Sequence, residues 1–320
     1  MRKGRARRRF LICLAIAAAF VLMLVAAPAL MQGNPNATHP ALALRAPGQD
    51  GFVLGSDPLG RDVLARTVAG GWESIVLGFG VIAVIVVIGT MVGLAAGYFG
   101  GAVDYVLSKV ITAFQAFPSF VLAVAIAGIL GQGLANMVIA IAAVYWTQYA
   151  RLVRGMTISF KRSECVDAAR MCGAGPAAVV RKYLIPQMIG PLAILSAVSM
   201  SDIILTMAGL SFVGLGPERP TNEWGAMMSD AQATFQYAPW CMLVPMAGLF
   251  LAVVIFNLLG DTLRDALDVR SQDVPARPIL AGLKGRLGRR DAKSPDETVE
   301  EETDALCSAE GKKERKEEAR

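Results

Sequence analysis

The sequence predicts an all-α polytopic membrane protein with six transmembrane helices, and three observations support that prediction. The 320-residue chain is 54% hydrophobic and only 18% charged, whereas soluble domains average about 45–50% apolar and about 25% charged residues. The apolar residues gather in runs of the roughly 20 residues that cross a bilayer as a helix. The basic residues cluster beside these runs, which indicates membrane orientation rather than nucleic-acid binding.

Six apolar runs are the predicted spans: 10–31, 75–97, 110–130, 134–150, 190–212 and 240–260. With their flanks they divide the chain into five parts: a basic cytoplasmic N-terminus at 1–9, a first transmembrane helix at 10–31, an extracytoplasmic loop at 32–74, a five-helix core at 75–260 and a charged tail at 261–320.

The first span follows MRKGRARRRF, and such a basic cluster favours a cytoplasmic N-terminus. A cleaved signal peptide begins in the same way, but the apolar run here is longer than the 7–15 residues of a signal h-region, so we expect the span to be retained. This orientation places 151–189 and the tail inside, and 32–74 and 213–239 outside. Residues 151–189 are strongly basic, as the positive-inside rule requires.

GSDPLGRDVLARTV, at 55–68, reads as a turn followed by an amphipathic segment that we expect along the outer membrane face. It is either a surface helix packing on the spans or a scoop that gates the outer cavity. In the second span, Gly89, Gly93 and Gly97 recur every four residues, which predicts close packing against another helix.

Two residues inside spans are candidates for a translocation pathway. Pro118 lies in the third span, where it predicts a kink. Asp202 is the only ionisable residue near the middle of a predicted span, and an intramembrane carboxylate is costly enough to suggest a function. The alternative for Asp202 is a carboxylate that is hydrogen-bonded to a neighbouring helix or lies nearer the interface.

The stretch VDAARMCGAGPAAVVRKYLIP, at 166–186, predicts a small helical hairpin between two spans. Residues 166–171 favour a short helix, Gly173 permits the turn, and Pro176 suits the start of a second helix that Pro186 should end or bend. The hairpin is either a docking surface for another protein or an amphipathic connector in the headgroup layer.

Several classes of site are excluded or unsupported. The chain has one histidine, His39, so a histidine-based metal cage or catalytic dyad is excluded. Its five cysteines lack paired zinc spacing and are read as unpaired thiols. There is no G-x-x-x-x-G-K-[ST] loop for ATP, and no set of convergent catalytic side chains that a membrane-embedded enzyme would need.

The hairpin resembles a known loop. The spacing of Asp167-Ala168-Ala169, Gly173 and Ile185-Pro186 resembles the Glu-Ala-Ala, Gly, Leu-Pro loop of permease subunits of bacterial ATP-binding cassette importers. Asp167 keeps the charge of the usual Glu but is one methylene shorter. Seven more segments resemble the peptide/nickel branch of that family: GSDPLGRDVLARTVAGG at 55–71, AGYFGG at 96–101, AFPSF at 116–120, YARLVRG at 149–155, LSFVGLG at 210–216, EWGAMMSDA at 223–231 and FNLLGDTLRDALD at 256–268.

The resemblance implies a type I importer permease fold and no enzymatic activity in this chain. It implies pairing with a homologous second permease subunit and with two cytoplasmic ATP-binding subunits, which bind the ATP and magnesium, so no cofactor is expected here. An extracytoplasmic substrate-binding protein would deliver the substrate, and the complex would lie in the bacterial plasma membrane. A channel that works without an ATPase is a distant alternative. The hairpin argues against it, because a passive pore has no use for a docking helix.

In such an importer, 151–189 is the loop that couples the permease to its ATPases. The residues implied in coupling are Asp167, Ala168, Ala169, Gly173, Ile185 and Pro186.

The resemblance also suggests a substrate. Where many peptide permeases read Glu-Ala-Ser-Leu-Ser-Phe, this chain reads MAGLSF at 207–212, so Met207 replaces a carboxylate on the expected pathway. This form, with the turn at 173–175 and the loop at 223–225, is more similar to the nickel members. We therefore expect nickel or a nickel chelate, with di- or oligopeptides as the alternative. The tail from Ser271 has too few apolar residues to bury a core and is predicted to be disordered.

Overall fold

The computed structural model describes residues 2–30 and 34–267, and within these residues it is almost entirely helical. The helices in chain order are α1 Arg2–Leu30, α2 Val63–Phe99, α3 Gly101–Gln115, α4 Ser119–Leu130, α5 Leu134–Phe160, α6 Glu164–Met171, α7 Pro176–Val179, α8 Ile185–Phe212, α9 Trp224–Ala231 and α10 Trp240–Leu267. A π-helical turn, Val180–Leu184, joins α7 to α8 without a break. Helix α10 runs to Leu267, which lies within the segment predicted as the tail. The rest of the predicted tail lies outside the described residues.

Four described helical segments are long and apolar enough to cross a membrane: Arg7–Ala26 within α1, Val63–Phe99, Pro176–Phe212 and Trp240–Leu267. The α3 and α4 pair, bent by 92°, makes five if it is one broken span. Helix α5 contains the predicted span 134–150 and has enough residues to cross, but polar residues such as Gln148 and Arg151 interrupt its apolar run. The helical membrane class is confirmed, and the count of six spans stays a prediction.

Helix α2 begins at Val63, well before the predicted span at 75. The Asp62 carboxylate caps its first turn by accepting from the N–H groups of Leu64 at 2.8 Å and Ala65 at 3.2 Å. The amphipathic segment that was expected on the membrane surface is therefore the start of a core helix. Its polar Arg66 is only 2% exposed, because neighbouring loops supply partners for the guanidinium.

Pro118 stands at the break between α3 and α4, where the chain bends by 92°. Proline has no N–H to continue the ladder of α3, and its own extended backbone starts the new helix. The predicted kink at Pro118 is confirmed.

Close packing of α2 on α5 runs through the three glycines at four-residue intervals. A Cβ at Gly89 would lie 2.5 Å from the Cβ of Tyr149, and a Cβ at Gly97 would lie 2.6 Å from the Cβ of Thr157. No real side chain fits at such distances, so only glycine allows the two backbones to approach this closely. The predicted glycine contact is confirmed.

Helix α9 lies in the segment 213–239, which was predicted as an outer loop. Six of its eight residues are buried. Trp224 fills the core beneath α2, and its Nε1 donates to the Thr67 carbonyl at 2.8 Å. A Cβ at Gly225 would lie 2.3 Å from the carbonyl oxygen of Ala208 on α8. The loop thus folds back into the protein, because its apolar residues are buried against α2, α8 and α10.

Candidate coupling hairpin and transport face

The turn of the hairpin is a Schellman motif at the end of α6. The N–H of Gly173 donates to the Arg170 carbonyl at 2.9 Å, and the N–H of Ala174 donates to the Ala169 carbonyl at 3.0 Å. Gly173 has φ +84, a backbone conformation that favours glycine. The predicted turn at Gly173 is confirmed, and it satisfies the last carbonyls of α6.

The second arm of the hairpin begins with Pro176 in the first turn of α7, as predicted. Of the two outcomes predicted at Pro186, an end or a bend, the helix does not end there but runs on to Phe212. The π turn just before Pro186 explains why the helix continues, because the N–H of Ile185 donates to the Val180 carbonyl five residues back. The wider turn accommodates a proline that cannot continue a regular ladder.

A small apolar cluster anchors the hairpin to the long helices. Its buried members are Val153 of α5, Val166 of α6, Val179 of α7, Leu184 of the π turn and Met188 of α8. Burial of each such side chain stabilises the fold by about 1.5–3 kcal/mol. The hairpin is therefore held against the ends of α5 and α8 and is not a free loop.

The outer side of α6 offers a small exposed surface. Asp167 and Ala168 are exposed, and Met171 at the helix end is 84% exposed. The Asp167 carboxylate lies 3.5 Å from Arg170, but an exposed pair of this kind contributes little stability. This surface remains open to a partner protein.

The remaining predicted coupling residues divide between two environments. Ala169 is buried, whereas Ile185 and Pro186 are exposed at the start of α8. Ala169 thus lets α6 pack closely, and it is not part of the exposed surface.

Helix α8 presents a face, called here the open face, that consists of the half-buried Pro191, Ile194 and Val198 followed by the exposed Asp202 and Leu205. Their spacing of three and four residues places them on one side of the helix. Asp202 and Leu205 are exposed, and Asp202 makes no hydrogen bond or ion pair within the described part of the chain. A bond from Asp202 to a neighbouring helix, the alternative considered from sequence, is not observed.

A cleft of about 790 Å³ follows the first part of this open face. Gln148 and Arg151 of α5 and Arg264 of α10 form its other walls. One helical turn, about 6 Å along the axis, separates Val198 at the cleft from Asp202. The cleft therefore combines two arginines with an apolar wall and a carboxylate nearby.

Sequence reasoning missed both arginines, because they are 113 positions apart (264 − 151) and meet only through tertiary packing. One signal was available: each arginine follows a predicted span at the end that was predicted to face the cytoplasm.

Met207 and Pro118 lie away from the cleft. Met207 is 1% exposed, since five residues beyond Asp202 correspond to a rotation of about 140° around the helix. Pro118 is exposed at the start of α4. Two residues on, Phe120 packs against α8, where a Cβ at Gly209 would lie 2.8 Å from Phe120 Cε2.

A buried polar cluster lies at the opposite end of the molecule from the hairpin, and it was not predicted from the sequence. The Asp57 carboxylate accepts from Arg61 at 2.6 Å and from Arg66 at 2.8 Å. Arg66 also donates to the side chain of Asn222 at 3.1 Å, 156 residues away. This outer lock, made of Asp57, Arg61, Arg66 and Asn222, joins the loop before α2 to the loop before α9.

Glu223 follows the outer lock and caps α9. Its carboxylate accepts from the N–H groups of Gly225 at 2.9 Å and Ala226 at 2.8 Å. Burial raises the pKa of the Glu223 carboxyl above its ordinary value, although the two N–H donors act in the opposite direction.

No group of three or more His, Cys, Asp or Glu side chains that could hold a metal ion occurs in residues 2–30 and 34–267. The four cysteines in these ranges are free thiols, and Cys307 lies outside them.

The family model described as "Binding-protein-dependent transport system inner membrane component" matches residues 89–272. A dipeptide transport system permease protein from Alkalihalophilus pseudofirmus is 37% identical over 255 residues, which are 80% of this chain and 84% of that protein. A nickel transport system permease protein from Escherichia coli K12 is 40% identical over 215 residues, 67% of this chain and 78% of that protein.

A glutathione transport system permease protein from Pectobacterium atrosepticum is 39% identical over 215 residues, 67% of this chain and 71% of that protein. Among solved structures, an inward-facing MetNI methionine ABC transporter chain superposes with a TM-score of 0.50 at 21% identity, over 63% of this chain and 97% of that chain. This likeness concerns the fold alone.

Proposed function

Since the chain belongs to the binding-protein-dependent transport system inner membrane components, on the peptide and nickel branch of ABC importer permeases, we propose that its hairpin couples ATP hydrolysis by partner subunits to substrate import. The observation that supports this proposal is the combination of an exposed surface on α6 with buried anchors beneath it.

The hairpin and the open face share one continuous helical element. Helix α7, the π turn and α8 run without a break from Pro176 to Phe212, and α6 contacts this element through Val166 and Val179. A force applied to Asp167, Ala168 and Met171 by a closing ATPase would therefore reach the open face through packed side chains.

The partners follow from this role. Two cytoplasmic ATP-binding subunits hold the ATP and magnesium, a homologous permease completes the pathway, and an extracytoplasmic binding protein delivers the substrate. The hairpin end, with residues 151–189, faces the cytoplasm in this arrangement, as do both termini, and the chain lies in the bacterial inner membrane.

A short peptide is the substrate that the charges of the open face favour. A peptide carries an ammonium group and a carboxylate. Asp202 on the open face would attract the first, and Arg151 with Arg264 in the adjoining cleft would attract the second. Met207 no longer argues against a peptide, because its side chain is buried and a carboxylate there would not reach the open face.

Nickel is the second candidate. The AGLSF segment at 208–212 and a nickel permease relative at 40% identity favour it. Asp202 would attract a hydrated cation, but Arg151 and Arg264 at the cleft would repel it.

Uptake of a radiolabelled dipeptide and of radiolabelled nickel tests the proposal in cells that lack the gene and in cells where it is restored. We expect dipeptide uptake to depend on the gene and to fall about tenfold in Asp202→Asn, the cost of losing roughly 1.4 kcal/mol of charge interaction. Met207→Leu, a conservative buried change on the same helix, should transport normally. Loss of nickel uptake alone would assign nickel, and unchanged uptake of both would overturn the proposal.

A further inference from the structure

A cavity of about 450 Å³ lies beside the hairpin, between α6 and the junction of α2 with α3. Three basic side chains line it: Lys161 and Arg162 from the end of α5, and Arg170 from α6. The cavity is separate from the open face of α8, and it shares only Asp167 with the hairpin surface to which the coupling role was assigned above.

The two carboxylates at this cavity already have partners. Both oxygens of Asp104 accept from Arg154, one of them at 2.8 Å, and Asp167 is 3.5 Å from Arg170. Arg162 has no ion-pair partner within the described ranges. The cavity therefore has a surplus of positive charge at Arg162 and Lys161.

Lys161 also contributes donors to the cavity. One of its N–H groups donates to the carbonyl of Tyr98, at the end of α2, and the ammonium lies over the Tyr98 ring. An ammonium group has three donors, so two N–H groups remain for a ligand in the cavity.

The start of α3 adds a second feature that favours an anion. Helix α3 has 15 residues, and its N-cap is Gly100, which lines the cavity and has no side chain to accept from the first N–H groups. Uncapped N–H groups at a helix start, with the positive end of the helix dipole, bind phosphate.

Two exposed apolar residues, each next in sequence to a residue that lines the cavity, indicate where the ligand comes from. Phe99 is 71% exposed and Val103 is 43% exposed, on the two helices whose junction forms one wall. Such side chains are stable in contact with hydrocarbon, and basic pockets of this kind at the ends of membrane helices bind anionic lipid headgroups. A soluble acidic protein surface would leave Phe99 and Val103 in water.

We propose that this cavity binds the phosphate-bearing headgroup of an anionic phospholipid. Arg162, Lys161 and the start of α3 contact the phosphate, and the acyl chains lie along Phe99 and Val103. Because Arg170 is on α6, the bound lipid bridges the hairpin and the α2–α3 junction.

Native mass spectrometry of the purified transporter, with its partner subunits, tests this site with phosphatidylglycerol as the probe. We expect Arg162→Gln to weaken the retention of one phosphatidylglycerol by about fivefold, the effect of one basic residue at an anionic surface. Arg162 is exposed and makes no ion pair, so the variant should fold. The matched control is Arg181→Gln, an exposed basic residue of the same loop that does not line the cavity.

Equal retention of phosphatidylglycerol by the original protein and by Arg162→Gln would overturn the proposal. Displacement of the lipid by inorganic phosphate at millimolar concentration would also overturn it, because the site would then hold free phosphate. Binding that appears only after the ATP-binding subunits are removed would assign the cavity to their surface instead. None of these results depends on which substrate the transporter moves, so the lipid site and the transport role fail separately.

Discussion

The guanidinium of Arg66 and the carboxylate of Asp57 form a buried ion pair at 2.8 Å, in which neither side chain is more than 6% exposed. Arg61 and Asn222 complete the outer lock on either side of this pair. The position of the lock in the fold gives it a structural role: it ties together two loops that are far apart in the sequence.

Asp57→Ala should destabilise the protein by about 3–5 kcal/mol, because it removes the carboxylate that pairs directly with the buried Arg61 and Arg66. Thermal unfolding of the purified protein in detergent measures the loss. Arg45→Ala is the control, since Arg45 pairs with Asp50 at 3.0 Å with both side chains nearly half exposed, and its loss should cost less than about 1 kcal/mol. Similar melting temperatures for the two variants would contradict the role assigned to the outer lock.

Gly173→Val should uncouple ATP hydrolysis from transport while the protein still reaches the membrane. A Cβ at Gly173 would meet no atom within 4 Å, so the cost is backbone strain at φ +84, about 1–3 kcal/mol. Uptake and ATP hydrolysis by the same vesicles measure the coupling.

Gly175→Val is the control for this variant, because it adds the same side chain two residues away, also in open space but at φ −70. Gly175→Val should remain coupled. Normal uptake per ATP in Gly173→Val would argue against a coupling role for the hairpin turn.

Gly89→Val should destabilise the contact of α2 with α5. The new side chain would be forced against Tyr149, whose Cβ lies only 2.5 Å from the ideal Cβ position, and overpacking of this kind costs about 1–3 kcal/mol. Gly80→Val lies on the same helix in open space and should melt like the parent. The comparison of the two melting temperatures separates packing from helix propensity.

The burial of Glu223 predicts a pH dependence of stability. Its pKa is higher in the folded protein than its ordinary value of 4.5, so its contribution to stability is fully present below that value and is lost as the pH rises through the folded pKa. Glu223→Gln cannot titrate, so the melting temperature of the parent relative to this variant should fall as the pH rises from about 4.5.

Melting curves taken at steps of pH measure this difference. Glu218→Gln, an exposed change of the same kind in the same loop, is the control. A difference between the parent and Glu223→Gln that does not vary with pH would contradict the prediction.

Local signals predicted much of the fold and of the hairpin. Helical hydrophobic runs, the glycines of α2, the turn at Gly173 and the helix start at Pro176 each depend on residues within a few positions of one another. The local structure that these signals predict therefore does not depend on how distant parts of the chain pack together.

The features that sequence reasoning missed depend on distant contacts. Helix α2 starts before the predicted span because Asp57 and Asn222 bind the side chain of Arg66 and allow it to be buried. Hydropathy alone assigns such an arginine to a loop, so the early start was not predicted. The cleft arginines, Arg151 and Arg264, meet only when α5, α8 and α10 are assembled.

Met207 is a different case, because its placement was available from the sequence. Five residues separate it from Asp202, and the helical period places them on different sides of α8. Both residues were nevertheless predicted to lie on one pathway, because that prediction followed the resemblance to other permeases and did not take the helical period into account.

The π turn at Val180–Leu184 affects the direction of the hairpin relative to α8. Such a turn contains one residue more than a regular helical turn, and one residue corresponds to a rotation of about 100° around a helix. Deletion of a single residue there would restore a regular helix and turn α6 away from its present direction relative to the open face of α8. The direction of the hairpin thus depends on the number of residues in this short segment as well as on their side chains.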